Sequence, residues 1–344
     1  MNKILASPRG ATTGVGSLPF IDPDIACDVV RKYCQRLPYI PTLPKRGILE
    51  RIVFSDSEHL PGKIIEEERL LIDRSRDITN DIAKIYEDFL GKNFIPYLPT
   101  PDYYSCFDNM LSRNFQDIIA LKFQLTGPVT FGMQVVDRER KPILYDPELA
   151  DMLPKLIALR ARAAEDAIRE RTGVDETLIV MDEPYYASLG SSVVPLDKEQ
   201  VREGFTEIVT TLKGAIGVHC CANTDWEFVL SLKPAVLSFD AYTNANEFLL
   251  YRDKILDFMR NGGVIAWGVV PSEGEVFRKE TIDRLIQRFQ SIRERAIETI
   301  PSDLFDRQSL ITPTCGIRLA DEETAIDIME STNAVSESIH SFTS

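Results

Sequence analysis

Histidine and tryptophan are scarce in this chain, with three and two copies among 344 residues. Long apolar runs are missing as well. No stretch comes near the ~18 consecutive apolar residues that a membrane-spanning helix needs, so no membrane partner is expected. The N-terminal stretch has no apolar core of the ~7–15 residues that a secretory signal carries, and a cytoplasmic enzyme is the expectation. Cysteine is limited to six, too few for a disulfide scaffold. Clustered cysteines in such a chain read as metal ligands or buried thiols. Positive charge is in deficit: 39 Lys and Arg against 53 Asp and Glu leave a net −14. That balance argues against a nucleic-acid partner or an anionic membrane surface.

What is present is a regular alternation. Apolar, β-prone runs lie at 12–16, 39–43, 119–125, 177–181, 215–219, 235–239, 263–267 and 310–313. Amphipathic segments at helical spacing follow the later ones, at 147–171, 196–212, 245–259, 279–299 and 321–330. Strands alternating with helices build parallel βαβ units. Eight such strands predict one (β/α)8 TIM barrel spanning the chain, a fold of about 250 residues before insertions. The surplus falls in the first half. Residues 51–73 read as a β-hairpin insertion turning at Leu60-Pro61-Gly62. The Pro- and aromatic-rich stretch 97–110 reads as a loop. Cys27 and Cys34, seven apart on a predicted helix, read as core.

In a barrel of this kind the active site forms at the C-terminal ends of the strands. Strand one is followed by Gly14-Val15-Gly16-Ser17-Leu18-Pro19, and strand three by Leu125-Thr126-Gly127-Pro128-Val129-Thr130. Strand four ends in Met181-Asp182-Glu183-Pro184, strand five in His219-Cys220-Cys221, strand six in Asp240 and strand eight in Thr314-Cys315-Gly316. Residues i and i+2 of a strand point the same way, so His219 and Cys221 project together and Cys220 opposes them. An imidazole and a thiol at one strand end are half of a zinc site. They are equally a packed histidine beside a buried thiol, and Cys315 in the same layer is the further donor that favours the metal. Asp182-Glu183-Pro184 has the simpler reading of a helix cap, and Gly14 to Pro19 that of a tight turn.

Taken in order, the motifs at 13–19, 125–130, 181–184, 219–221 and 314–316 resemble the catalytic C-terminal half of the cobalamin-independent methionine synthases. That family shares its barrel superfamily with uroporphyrinogen decarboxylase and the corrinoid-linked thiol methyltransferases. The resemblance implies a zinc-dependent methyltransferase that forms methionine from homocysteine. His219, Cys221 and Cys315 would be catalytic as zinc ligands. The family's fourth ligand, a glutamate, matches Asp240, one methylene shorter, leaving the last position to Asp240 or to water. Asp182 matches the residue that binds the homocysteine amino group, the Ser17 backbone the segment that holds its carboxylate, and Glu50 a second acid near the amino group.

Two departures bear on the donor. After strand seven the synthases carry a histidine, and this chain reads Trp267-Gly268-Val269-Val270-Pro271-Ser272-Glu273 without one. The resemblance also covers only one of the two barrels of the full-length enzymes, as in short "core" methionine synthases. Both departures point to a methylated corrinoid protein as donor, with no permanently bound cofactor besides zinc. The aromatic stretch 97–107 is a candidate docking rim for it. Coenzyme M as acceptor, methyltetrahydrofolate as donor, a zinc-free uroporphyrinogen decarboxylase-like enzyme and a non-catalytic zinc or corrinoid-binding protein stay as alternatives.

Overall fold

The computed structural model describes residue 5 and residues 7–341. Its strands are β1 (Lys63–Glu66), β2 (Arg69–Ile72), β3 (Leu121–Thr126), β4 (Val136–Asp137), β5 (Thr177–Asp182), β6 (Ala215–Cys220), β7 (Val236–Asp240), β8 (Val264–Val270) and β9 (Ser309–Pro313). Six of them form one parallel sheet in the order β3-β5-β6-β7-β8-β9. Two irregular segments close it into a ring. Thr12 bridges Ile311 of β9, Ser17 bridges Thr42, and Tyr39 bridges Lys122 of β3, all in parallel. The result is an eight-membered parallel barrel, as the alternating pattern predicts.

The first two staves contribute bridges rather than regular strands, and their residues explain why. Pro38, Pro41 and Pro44 have no N–H to donate to a ladder, and Gly16 turns the chain at φ +87°. Closure survives on isolated bonds: Thr13 N–H to Ile311 O at 3.0 Å, Leu18 N–H to Thr42 O at 2.9 Å and Ile40 N–H to Lys122 O at 2.9 Å.

β3 and the later barrel strands are buried along nearly their whole length. Both faces of a parallel sheet are covered, so such strands appear in sequence as continuous apolar runs. One face packs against the helices. The other fills the barrel floor with small and branched side chains, among them Leu178, Val180, Ala215, Val236, Ala266 and Leu310. The long helix Pro147–Thr172 opens on an Asp146 cap that accepts from the Glu148 and Leu149 N–H groups. The predicted helix at 245–259 is instead two helices, Ala241–Phe248 and Arg252–Arg260, split by a 3-10 turn. The last helix runs to Ser341 as Glu322–Ser341.

The insertion differs from its expectation. β1 and β2 pair antiparallel, and the chain reverses at Glu67 and Glu68, at φ +47° and +61°. Leu60-Pro61-Gly62 leads into the hairpin instead of forming its tip, and Ile52, Val53 and Phe54 lie in turns. Two glutamates at left-handed φ carry no Gly or Asn signal, so the reversal is silent in sequence. The stretch 97–110 also departs from a plain loop, because Ser105–Leu111 is a helix. Tyr97, Tyr104 and Phe107 are buried in the core and do not form a rim.

A buried polar cluster ties the insertion to the barrel. Arg160, fully buried on the long helix, donates to Ser55 O at 3.0 Å and to Glu58 at 3.3 Å, and lies 4.0 Å from Asp56. Asp56 accepts from the Tyr104 hydroxyl at 2.5 Å and from the Thr126 N–H at 2.7 Å. The segment it pins includes Val53, a β-branched residue at φ +72°, a conformation that only its surroundings can impose. Arg160→Ala leaves two carboxylates without their buried partner. We expect it to lower unfolding free energy by about 3–5 kcal/mol in urea titrations followed by circular dichroism. A loss below about 1 kcal/mol, the range of exposed pairs, would contradict this role.

Candidate metal centre

The period of two along each strand selects what faces the barrel mouth. On β5, Leu178 and Val180 fill the floor, and Asp182 follows with the same parity. On β6, His219 has the parity of Ala215 and Gly217. On β7, Ser238 follows Val236. These side chains meet above the apolar floor. His219 is 1% exposed, and its Nδ1 lies 2.9 Å from Ser238 Oγ. That leaves Nε2 facing the mouth, 3.2 Å from Cys221 Sγ. Cys315, from the turn after β9, brings its Sγ to 3.4 Å from Cys221 Sγ. A disulfide needs ~2.05 Å, so these are two free thiols. Cys220 points away, buried, with its Sγ 3.6 Å from Glu183 O.

The donor set fits a zinc ion. All three ligand atoms lie within 4.8 Å of one another. Tetrahedral bonds of ~2.3 Å to sulfur and ~2.0–2.1 Å to nitrogen put ligand atoms about 3.5–3.8 Å apart, and the two spacings that involve Cys221, 3.2 and 3.4 Å, are a few tenths of an ångström shorter. Hydrogen bonding to Cys315 and burial push the Cys221 thiol up, while the hydrogen bond from Cys221 holds Cys315 well below the usual thiol range. Two sulfurs and an imidazole with one open position are the donor pattern of a catalytic zinc site. Ser238, which sets the ring orientation, belongs to the support such histidines need.

The other predicted residues divide. Asp182, Ser17 and Glu50 line the same cleft of about 480 Å³ as His219, Cys221 and Cys315. Asp182 accepts from the Gln124 side-chain amide, and burial pushes it up to about 6. Ser17 is pressed against the ligand turn: a Cβ on Gly316 would sit 2.2 Å from Ser17 Oγ. A side chain there would have to displace the Ser17 hydroxyl, and Ile317 N–H donates to Ser17 O at 2.8 Å. Glu50 is buried but committed, accepting from the Leu43 N–H at 2.8 Å and pairing with Arg46 at 3.0 Å. Asp240 is outside the three-residue cluster. Its Oδ1 caps the helix Ala241–Phe248 by accepting from Thr243 N–H at 2.9 Å, and burial raises its pKa.

Three contributors escaped the sequence reading. Lys122 is buried inside the barrel, and its ammonium donates to Gly14 O; burial lowers it to about 8. Gln124 orients Asp182. Glu183, fully buried and raised to about 7 by burial, accepts from the Val129 and Thr130 N–H groups and the Thr130 hydroxyl. It clamps the turn after β3 to the end of β5. Lys122 and Gln124 share the parity of Thr126 on β3, the one signal that could have placed them inside.

No protein-family model matches the chain, and no curated protein matches it. Among solved structures, it is similar to a B12-independent methionine synthase from Shewanella sp. W3-18-1 in complex with selenomethionine. That match has 18% identity and a TM-score of 0.46, over 65% of this chain and 63% of that one. The matched part is therefore less than two thirds of the synthase chain. It is also similar to a GH113 beta-mannanase from Alicyclobacillus acidocaldarius, with 12% identity and a TM-score of 0.42 over 98% of both chains. Both TM-scores are low, and the barrel assignment rests on the strand ring itself. Among the described residues no helix is long and apolar enough to cross a membrane.

The geometry makes a metal prediction. Protein from zinc-replete cells should carry about one zinc per chain, measured by elemental analysis. His219→Ala, Cys221→Ser and Cys315→Ser should each lose it, and Cys220→Ser should keep it. Ser238→Ala should weaken zinc about tenfold to a hundredfold. Zinc retained in full by Cys315→Ser would overturn the assignment.

Proposed function

We propose that the protein is a zinc-dependent thiol methyltransferase whose acceptor is homocysteine and whose donor is a methylated corrinoid. The observation that carries this reading is the shared cleft: His219, Cys221 and Cys315 open onto the same space as Asp182 and the Gly16-Ser17 backbone. A metal-binding trio and a half-buried carboxylate are what a small amino-acid thiol requires. The ordered motifs shared with the cobalamin-independent methionine synthases support the same acceptor.

Zinc held by His219, Cys221 and Cys315 would keep a substrate thiol as its thiolate at neutral pH. Asp182, positioned by Gln124, receives the substrate ammonium. The turn at Ser17, fixed by Gly316 and Ile317, faces its carboxylate. Holding both ends of a small acceptor aims its sulfur at the mouth and removes orientational freedom, which lowers a bimolecular barrier by several kcal/mol. The new S–CH3 bond forms as the donor–CH3 bond breaks, and the electron pair leaves with the donor. A corrinoid leaves as cobalt(I) and requires no proton. This fits the absence of histidine between Trp267 and Glu273. Asp240 enters the reading as a carboxylate that caps its helix outside the His219, Cys221 and Cys315 trio, so Asp240→Ala is expected to keep zinc.

The test incubates zinc-loaded protein with homocysteine and either methylcobalamin or methyltetrahydrofolate, and follows methionine. Methionine from methylcobalamin is expected, and no product from either donor would sink the proposal. The pH profile adds a sign. Asp182, raised to about 6, is charged above that pH and neutral below it, and a neutral acid attracts an ammonium weakly. The homocysteine KM should therefore rise as pH falls through about 6. Asp182→Asn should flatten that limb and raise KM at pH 8 by about tenfold or more. Little loss of activity in Asp182→Ala would exclude an amino-acid acceptor and favour a thiol without an ammonium.

A further inference from the structure

The turn that supplies Cys315 continues along the cleft mouth. Ile317 is buried and bonded to Ser17, and Ala320 O accepts from Lys45 Nζ at 2.8 Å. Between these anchors Arg318 and Leu319 project outward. Leu319 is 72% exposed, and among the described residues Arg318 is exposed with no ion pair or hydrogen bond to its guanidinium. The insertion presents a second pair of the same kind. Arg51 reaches only Glu68, itself largely exposed, at 3.1 Å, and Ile52 beside it is 42% exposed. Both pairs line the cleft that holds the metal ligands.

The charge layout is unusual for a chain of net −14. The acids of this cleft are hydrogen-bonded, with Glu50 and Asp56 buried and Asp182 half-buried. The cations Lys45, Arg51 and Arg318 stand around its mouth. The proposed amino-acid acceptor is served by Asp182 and the Ser17 turn, which leaves these cations without a role in holding it. What the mouth fits is a larger molecule with an apolar body and an anionic substituent, since a guanidinium forks onto phosphate or carboxylate and the neighbouring aliphatic covers the body.

We propose that Arg318-Leu319 and Arg51-Ile52 form the donor-binding rim, recognising the methyl donor through a phosphate or carboxylate group while transfer takes place below. This rests on the methyltransferase reading. The chemistry separates the two sources. A cobalamin carries a phosphodiester on its nucleotide loop, and a folate carries glutamate carboxylates.

The test uses the zinc-loaded full chain and its Arg318→Ala, Arg318→Lys and Arg51→Ala variants. Equilibrium dialysis with methylcobalamin, with methylcobinamide (the same methyl–cobalt group without the phosphodiester), and with methyltetrahydrofolate bearing one or three glutamates reads donor binding without turnover. Arg318→Ala should weaken the anion-bearing donor about two- to fivefold, the upper part of the range for solvent-exposed charge pairs. Arg318→Lys should recover part of that loss, and added salt should mimic it. The homocysteine KM and the zinc content should not move, because Arg318 is exposed and outside the floor. Methylcobinamide binding that is insensitive to Arg318 identifies the phosphodiester, and a loss that grows with glutamate number identifies carboxylate. Equal binding of every donor to wild type and Arg318→Ala overturns the proposal. Absence of methionine would sink the methyltransferase reading alone, because the dialysis decides the rim independently.

Discussion

Closure of the parallel ring is the constraint on which everything else depends. Two irregular, proline-bearing segments complete it, held by a few bonds such as Thr13 N–H to Ile311 O. Because every stave runs the same way, all C-terminal ends emerge at one mouth. Cys221 and Cys315 are 94 residues apart in sequence and 3.4 Å apart at their sulfurs. Closure also presses Gly316 onto Ser17, so the turn that carries Cys315 and the turn at Ser17 are one packed unit. A defect in either turn would be felt by both.

The mouth is built against the preferences of a barrel interior. Below it the floor is apolar, and at the top Lys122 and Glu183 are buried and Asp182 is half-buried. Burial disfavours the charged form of each, which is why the lysine titrates low and the two acids high. The cost is offset by specific partners: Gly14 O for the lysine, Gln124 for Asp182, and two N–H groups and a hydroxyl for Glu183. Polar groups held in a water-poor site without freedom to reorganise are what gives such a centre its leverage on bound charge.

Seen from the floor upward, the cleft is layered. Metal donors and Asp182 lie deepest, and Ser17 and its turn come beside them. The insertion, pinned by Arg160 and Asp56, brings Arg51 and Ile52 to the mouth opposite the role that Arg318 and Leu319 play from the last barrel turn. The hairpin beyond it is thus attached to a segment that shapes the cleft, which gives the insertion a purpose beyond covering the barrel. The left-handed φ of Val53 falls in this segment.

The sequence by itself determined the architecture and the heart of the site. Strands β3 and β5 to β9 are legible because residues buried on both faces form unbroken apolar runs, and His219 and Cys221 pair because a strand repeats every two residues. These are local properties, carried by neighbours in the chain. Tertiary structure alone decided the rest. The hairpin reverses at two glutamates that no turn signal marks, and Tyr97 and Tyr104 turn inward to bond the buried Asp88 and Asp56. Asp240 gives one oxygen to a helix cap, Ser238 and Gln124 gain their roles from side chains on other strands, and Lys122 from the Gly14 carbonyl. Arg318 becomes a mouth residue only once the ring closes. Each depends on contacts between segments far apart in sequence, and no local periodicity encodes which distant atom will be there to meet them.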